Sequence, residues 1–175
     1  MNNASHNIHP GFKLNGVLYS KLGKHSSGKE FFSDKSEILD FIENWINNSP
    51  VISLRTSGST GIPKKILAEK SAMAYSAKLT GKQFNLKPGD KALLCLPLDF
   101  IAGKMMLVRA LVLGLDLYIT KPNRSPLKNF SKLFDFVAMT PYQLEKSIEH
   151  LNRVKCLIVG GSPVGEAIKK KIKNN

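Results

Sequence analysis

The chain has 175 residues, 42% of them hydrophobic, with 26 Lys and Arg against 13 Asp and Glu and a formal net charge of +13. That length allows one domain with its own core, and that apolar content excludes a disordered chain. The charge favours anionic partners (nucleotides, acidic small molecules, nucleic acid, membrane surfaces) and selects none of them by itself.

Residues 1 to 30 are polar and read as irregular, with one short strand candidate at Gly16–Tyr19. Asp34 to Asn47 predicts a helix: Ile38, Phe41, Ile42, Trp45 and Ile46 recur at three- and four-residue spacing and form one apolar face. Ser33 or Asp34 can cap its start, Asp34 and Glu37 having capping-box spacing. The chain therefore divides into an N-terminal irregular segment plus helix, residues 1–50, and an α/β unit, residues 51–175.

The α/β unit starts with a strand at Val51–Leu54, and an extended run resumes at Ile66–Ala68. A helix follows at Lys70–Gln83, then a strand at Lys91–Leu96 stopped by Pro97. Phe100–Leu113 predicts a buried helix closed by Gly114, and Asp116–Thr120 another strand. A short helical stretch is expected near Leu127–Leu133, then a strand at Phe134–Met139. Thr140-Pro141-Tyr142-Gln143 has the N-cap, the first-position proline and the N3 glutamine of a helix start, and that helix is expected to reach about His150. Val154–Val159 reads as a strand and Gly165–Lys173 as a last helix. Alternating strands and helices predict an α/β fold, a mainly parallel sheet with flanking helices. The strands are continuous apolar runs, as in sheets covered on both faces.

Two cysteines, Cys95 and Cys156, lie inside such runs and read as core thiols, neither a disulfide nor a metal site. This fits a reducing cytoplasm. Met1–Ser5 lacks the features of a signal peptide, and Phe100–Leu115, which carries Lys104 and Arg109, is too short and too charged to span a bilayer. A cytoplasmic protein without membrane insertion is expected.

Glycine-rich loops follow two of the strands, at residues 56–64 and 160–163. Ligands of open α/β sheets gather at the carboxyl ends of strands. Ser/Thr/Gly runs are usually plain connections. In the first loop, however, glycine turns can face backbone N–H groups toward an anion, hydroxyls add donors and lysine adds charge. The spacing of Gly58 and Gly61 fails the Walker A pattern, as does Gly103-Lys104-Met105, and no G-x-G-x-x-G opens a helix.

The nine residues Thr56-Ser57-Gly58-Ser59-Thr60-Gly61-Ile62-Pro63-Lys64 instead resemble the T-S-G-S/T-T-G-x-P-K signature of the adenylate-forming superfamily, which includes acyl-CoA synthetases. Three later stretches resemble that family in order. Leu96–Gly103 is similar to its P-L-F-H-x-x-G segment, Thr140-Pro141 to its strand-to-helix junction, and Ile158–Val164 to its G-G-A-P-L segment. The run from Leu96 to Gly114 is most similar to o-succinylbenzoate–CoA ligases of menaquinone biosynthesis.

The resemblance implies part of the large N-terminal domain of an adenylate-forming enzyme. It implies attack of a carboxylate on the α-phosphate of ATP, then displacement of AMP by coenzyme A. Thr56, Ser57, Gly58, Ser59, Thr60, Gly61 and Lys64 would hold the β- and γ-phosphates, with Mg²⁺ sharing the charge. Phe100, Gly103, Gly160, Gly161, Ser162 and Pro163 would contact the adenine and the acyl group. Lys104 or Arg109 would face a dianionic substrate, or would reach from the helix to water.

Phe100 stands where many relatives carry His, which puts that contact in question. The family's Y-G-x-T-E segment, ribose-binding Asp, hinge and C-terminal catalytic lysine do not occur before Asn175. No catalytic residue and no metal ligand is assigned, and the chain alone is expected to be inactive in ATP–pyrophosphate exchange. A non-catalytic nucleotide- or anion-binding α/β domain is the alternative. Self-association through an exposed edge is a further expectation. Nucleic-acid binding is disfavoured, because the lysines are dispersed and aromatics are not interleaved with them.

Overall fold

The computed structural model describes residues 8–22, 36–56 and 64–173. The elements run β1 (Lys13–Leu14), β2 (Val17–Leu18), α1 (Tyr19–Leu22), α2 (Ser36–Ile46), β3 (Val51–Thr56), β4 (Lys64–Glu69) and α3 (Lys70–Gln83). They continue with β5 (Lys91–Leu94), α4 (Ile101–Leu113), β6 (Asp116–Ile119), β7 (Phe134–Met139), α5 (Pro141–Glu145), a 3-10 helix (Ile148–Arg153), β8 (Val154–Val159) and α6 (Glu166–Lys173).

Six strands form one sheet in the order β2-β1-β6-β5-β7-β8. Its pairs are parallel except β1 with β2. Side chains alternate between its faces. Ala92, Leu94, Phe136 and Ala138 face the larger core with α2, α3 and α4, while Leu93, Cys95, Val137 and Met139 face a smaller one. α4 is the central helix: Met105–Val108, Ala110 and Leu111 are buried, because it lies between the sheet and α3. Gly114 ends it in the left-handed region at φ 73°.

Several expectations change. In the segment read as irregular, the strand candidate at Gly16–Tyr19 is β2, and an unexpected second strand, β1, pairs Lys13 with Asp116 and Leu14 with Leu117. Strands of two residues carry no readable period. β3 does not join the parallel sheet. It pairs antiparallel with β4 as a separate hairpin in full register from Val51↔Glu69 to Thr56↔Lys64. The stretch expected to be helical near Leu127 is a turn with isolated bonds from Lys128 N to Ser125 O (3.2 Å) and from Phe130 N to Leu127 O (3.1 Å). Leu127 and Phe130 instead anchor this loop over the smaller core, so that face of the sheet is roofed by a loop. The helix after Thr140 gives way to 3-10 geometry after Glu145. Cys95 is buried, but Cys156 is half-buried, because among the described residues β8 has a strand neighbour, β7, on one side only. The Ser33/Asp34 cap lies outside the described residues.

Lys70 opens α3 and is wholly buried. Its ammonium donates to the main-chain O and the Oδ1 of Asn47, each at 2.9 Å, and so ties the end of α2 to the start of α3. Burial lowers its pKa.

Candidate functional site

The topology opens between β5 and β7. The chain leaves β5 through α4 toward β6 on one side, and leaves β7 through α5 toward β8 on the other. Exits that diverge at the carboxyl ends of neighbouring parallel strands leave a crevice suited to a ligand. A cavity of about 640 Å³ fills it. Leu96 and Pro97 form the β5 wall, and Ala138, Met139 and Thr140 the β7 wall. Phe100, Met105 and Arg109 line it along α4, and Ile158, Gly160 and Gly161 close the β8 side.

Local chemistry explains this shape. Gly103 lets the first turn of α4 press against the 96–97 turn, since a Cβ there would stand 2.2 Å from the Pro97 carbonyl oxygen. Phe100 is extended as the N-cap of α4 and 41% exposed, which puts its ring at the mouth. Gly160 N–H donates to Met139 O at 3.1 Å, holding the exit of β8 against that of β7. Gly161 has φ 96° and nothing within 4 Å of a built Cβ, so backbone lies open to an occupant there.

Arg109 supplies the charge. Its Nε donates to Thr80 Oγ1 at 3.2 Å, its Nη1 lies 3.8 Å from Met106 Sδ, and its guanidinium carbon sits 5.8 Å from the Phe136 ring centroid. Among the described residues no Asp or Glu pairs with it. Burial lowers its pKa, yet a guanidinium remains protonated at neutral pH. A half-buried cation without a counter-charge, beside an apolar cavity, favours an anion within reach. Cys95 is no competing nucleophile: burial pushes its thiol up to about 12, and its Sγ donates to Ala138 O at 3.3 Å.

Of the residues expected at an adenine and acyl pocket, Phe100, Gly160 and Gly161 line this cavity. Gly103 lies buried behind its wall, and Ser162 and Pro163 are exposed beyond Gly161, outside the lining. Lys104 and Arg109 part company. Lys104 donates to Ser53 O at 3.4 Å and lines a separate cleft of about 390 Å³ with Asp40 and Asp99. Of the phosphate-loop residues, Thr56 and Lys64 pair across the end of the β3–β4 hairpin, while Ser57, Gly58, Ser59, Thr60 and Gly61 lie outside the described residues. Met105 and Thr140 line the cavity without having been singled out for it. The sequence signals for Thr140 were its N-cap position and the resemblance of Thr140-Pro141 to the family's strand-to-helix junction.

Residues 17–175 match the model of the AMP-binding enzyme family. The chain belongs to that family. As an AMP-binding chain, it is 24% identical over 93% of its length to the 2-succinylbenzoate–CoA ligase of Oceanobacillus iheyensis, of which it covers 35%. Its fold matches the acyl-CoA synthetase (AMP-forming)/AMP-acid ligase II-like protein from Dyadobacter fermentans with a TM-score of 0.74 and 40% identity, covering 80% of this chain and 42% of that one. ATP-bound MatB from Rhodopseudomonas palustris shares the fold at 17% identity and a TM-score of 0.59, over 70% of this chain and 26% of its own. The chain thus spans less than half the length of each.

Proposed function

We propose that this AMP-binding chain is the substrate-binding part of an ATP-dependent acyl-CoA ligase, with o-succinylbenzoate as the acyl substrate. The observation that carries this reading is Arg109, a half-buried cation without a carboxylate partner on the wall of an apolar cavity. An aromatic dicarboxylate suits such a cavity, with its ring against Phe100 and Met105, one carboxylate on Arg109 and the other free to react. The 2-succinylbenzoate–CoA ligase activity of the Oceanobacillus relative supports the same substrate, and the ATP-bound neighbour supports the nucleotide.

In the reaction, a carboxylate oxygen attacks the α-phosphorus of ATP, a C–O–P linkage forms and pyrophosphate leaves. The coenzyme A thiolate then attacks the acyl carbon and AMP leaves. The hydroxyls of Thr56, Ser57, Ser59 and Thr60, backbone at Gly58 and Gly61, and the Lys64 ammonium would bind the phosphates and meet the charge that develops on pyrophosphate. Gly160, Gly161, Ser162 and Pro163 would border the adenine, with Phe100 and Gly103 shaping the acyl side. Among the described residues no three His, Cys, Asp or Glu side chains gather as metal ligands, so no step is assigned to Mg²⁺.

Calorimetry with o-succinylbenzoate tests the reading, using the wild type and Arg109→Met. The wild type is expected to bind, and the variant to bind about 10- to 100-fold more weakly, the range for a lost hydrogen bond to a charged group. Equal affinity in both proteins would remove Arg109 from the site, and no heat in either would remove the substrate.

A further inference from the structure

The β5 and β7 walls of the cavity are joined underneath by one side chain, Gln143, which is 6% exposed. Its Oε1 accepts from Thr140 N at 3.1 Å, completing the capping box in which Gln143 N donates to Thr140 Oγ1 at 3.2 Å. A capping box accounts for that half of the amide. The other half faces away from α5. Gln143 Nε2 donates to Cys95 O and to Asn123 O, each at 3.0 Å. One carboxamide thus connects the exit of β5, the loop after β6 and the exit of β7. Cys95 immediately precedes the cavity-lining pair Leu96 and Pro97, and Thr140 itself lines the opposite wall. Among the described residues the β5–β7 register ends at Leu93↔Val137, short of the crevice that this side chain spans.

We propose that Gln143 is a positioning residue that fixes the separation of the two cavity walls, and with it how tightly an aromatic carboxylate is gripped. The brace rests on the hydrogen bonds alone; its bearing on the ligand rests on the o-succinylbenzoate reading above. Buried donors and acceptors held in one network resist displacement, because each broken bond leaves a group unsatisfied. A shift of walls by a fraction of an ångström changes contact along the length of a ligand.

Gln143→Glu separates the two halves of the amide. Glutamate serves a capping box as well as glutamine does, but its carboxylate has no N–H to donate. Peptide-resolved hydrogen exchange at neutral pH should show residues 94–100 and 120–124 exchanging about tenfold faster, with α2 and α5 unchanged. Calorimetry should show o-succinylbenzoate affinity falling about tenfold, and more than the affinity for benzoate, which touches fewer walls. Gln143→Met repeats both measurements without burying a carboxylate, should the glutamate variant fail to fold; it also loses the capping acceptor, so residues 140–146 should then accelerate together with both walls. Acceleration confined to residues 140–146 would reduce Gln143 to a helix cap and overturn the proposal. So would faster exchange on both walls with o-succinylbenzoate and benzoate weakened equally, as a general loss of stability would produce. If the wild type binds no o-succinylbenzoate, the substrate reading fails, and the exchange data alone decide the brace.

Discussion

At the amino ends of the parallel strands, aspartates are spent on backbone. Asp90 accepts from Lys87 N, Asp116 from Gly16 N and Asp135 from Lys91 N, each at 2.8 Å. Asp135 also takes the Lys155 ammonium. At the carboxyl ends the balance reverses. Glycines and a cavity mark the exits of β7 and β8, and Arg109 keeps a charge that no described carboxylate answers. One end of the sheet is satisfied and closed, the other unsatisfied and open. Unsatisfied buried charge costs stability, and in the function proposed above a ligand at that end would offset the cost.

Three substitutions probe that contrast. The largest effect is expected from Gly103→Ala, because its Cβ would meet main-chain atoms of Pro97 that cannot swing aside. A loss of about 3 kcal/mol in urea unfolding is expected, as for overpacking in a core. A change below about 1 kcal/mol would show that the open end is pliable.

Asp135→Asn should cost about 1 kcal/mol at neutral pH, the worth of a partly exposed hydrogen-bonded carboxylate. Burial works against ionisation of Asp135, but the Lys155 hydrogen bond, the Lys91 N–H and the two ammonium charges together bring its pKa down. A lowered carboxyl pKa contributes stability above its unfolded value of about 3.9, and the contribution is lost as pH falls through the native value. The gap between wild type and variant should therefore close between pH 5 and strongly acid solution. A gap independent of pH would mean that the aspartate acts by shape alone.

The smallest effect on stability belongs to Arg109→Met, within about 1 kcal/mol, since lost packing is offset by removal of an unpaired buried charge. A loss above about 2 kcal/mol in thermal or urea unfolding would make Arg109 a prop for Thr80 and spoil the contrast.

Much of the architecture was legible because its cues are local. Lys70–Gln83, Phe134–Met139 and Val154–Val159 occupy the ranges that apolar runs and turn residues predict. Thr140, Pro141 and Gln143 form the predicted capping box. What escaped depends on partners far along the chain. β1 joins the sheet through β6, a separation of about a hundred residues. The hairpin register that places Thr56 opposite Lys64 cannot be read from either strand alone. At the site, glycines at 160 and 161 were visible as a motif. Arg109 and Lys104 could not be told apart, since five positions on a helix turn them to different neighbours. The outward half of Gln143 was hidden for the same reason: its acceptors, Cys95 O and Asn123 O, belong to other elements.

Lys70 has a further consequence. On a surface rich in lysine, amine reagents have many targets, but this amine is sealed between Asn47 and the start of α3. Acylation there requires α2 and α3 to part, so its rate is set by the population of that opened state. A single nitrogen thereby gives the joint between the two helices a chemical reading of its own, separate from unfolding of the sheet.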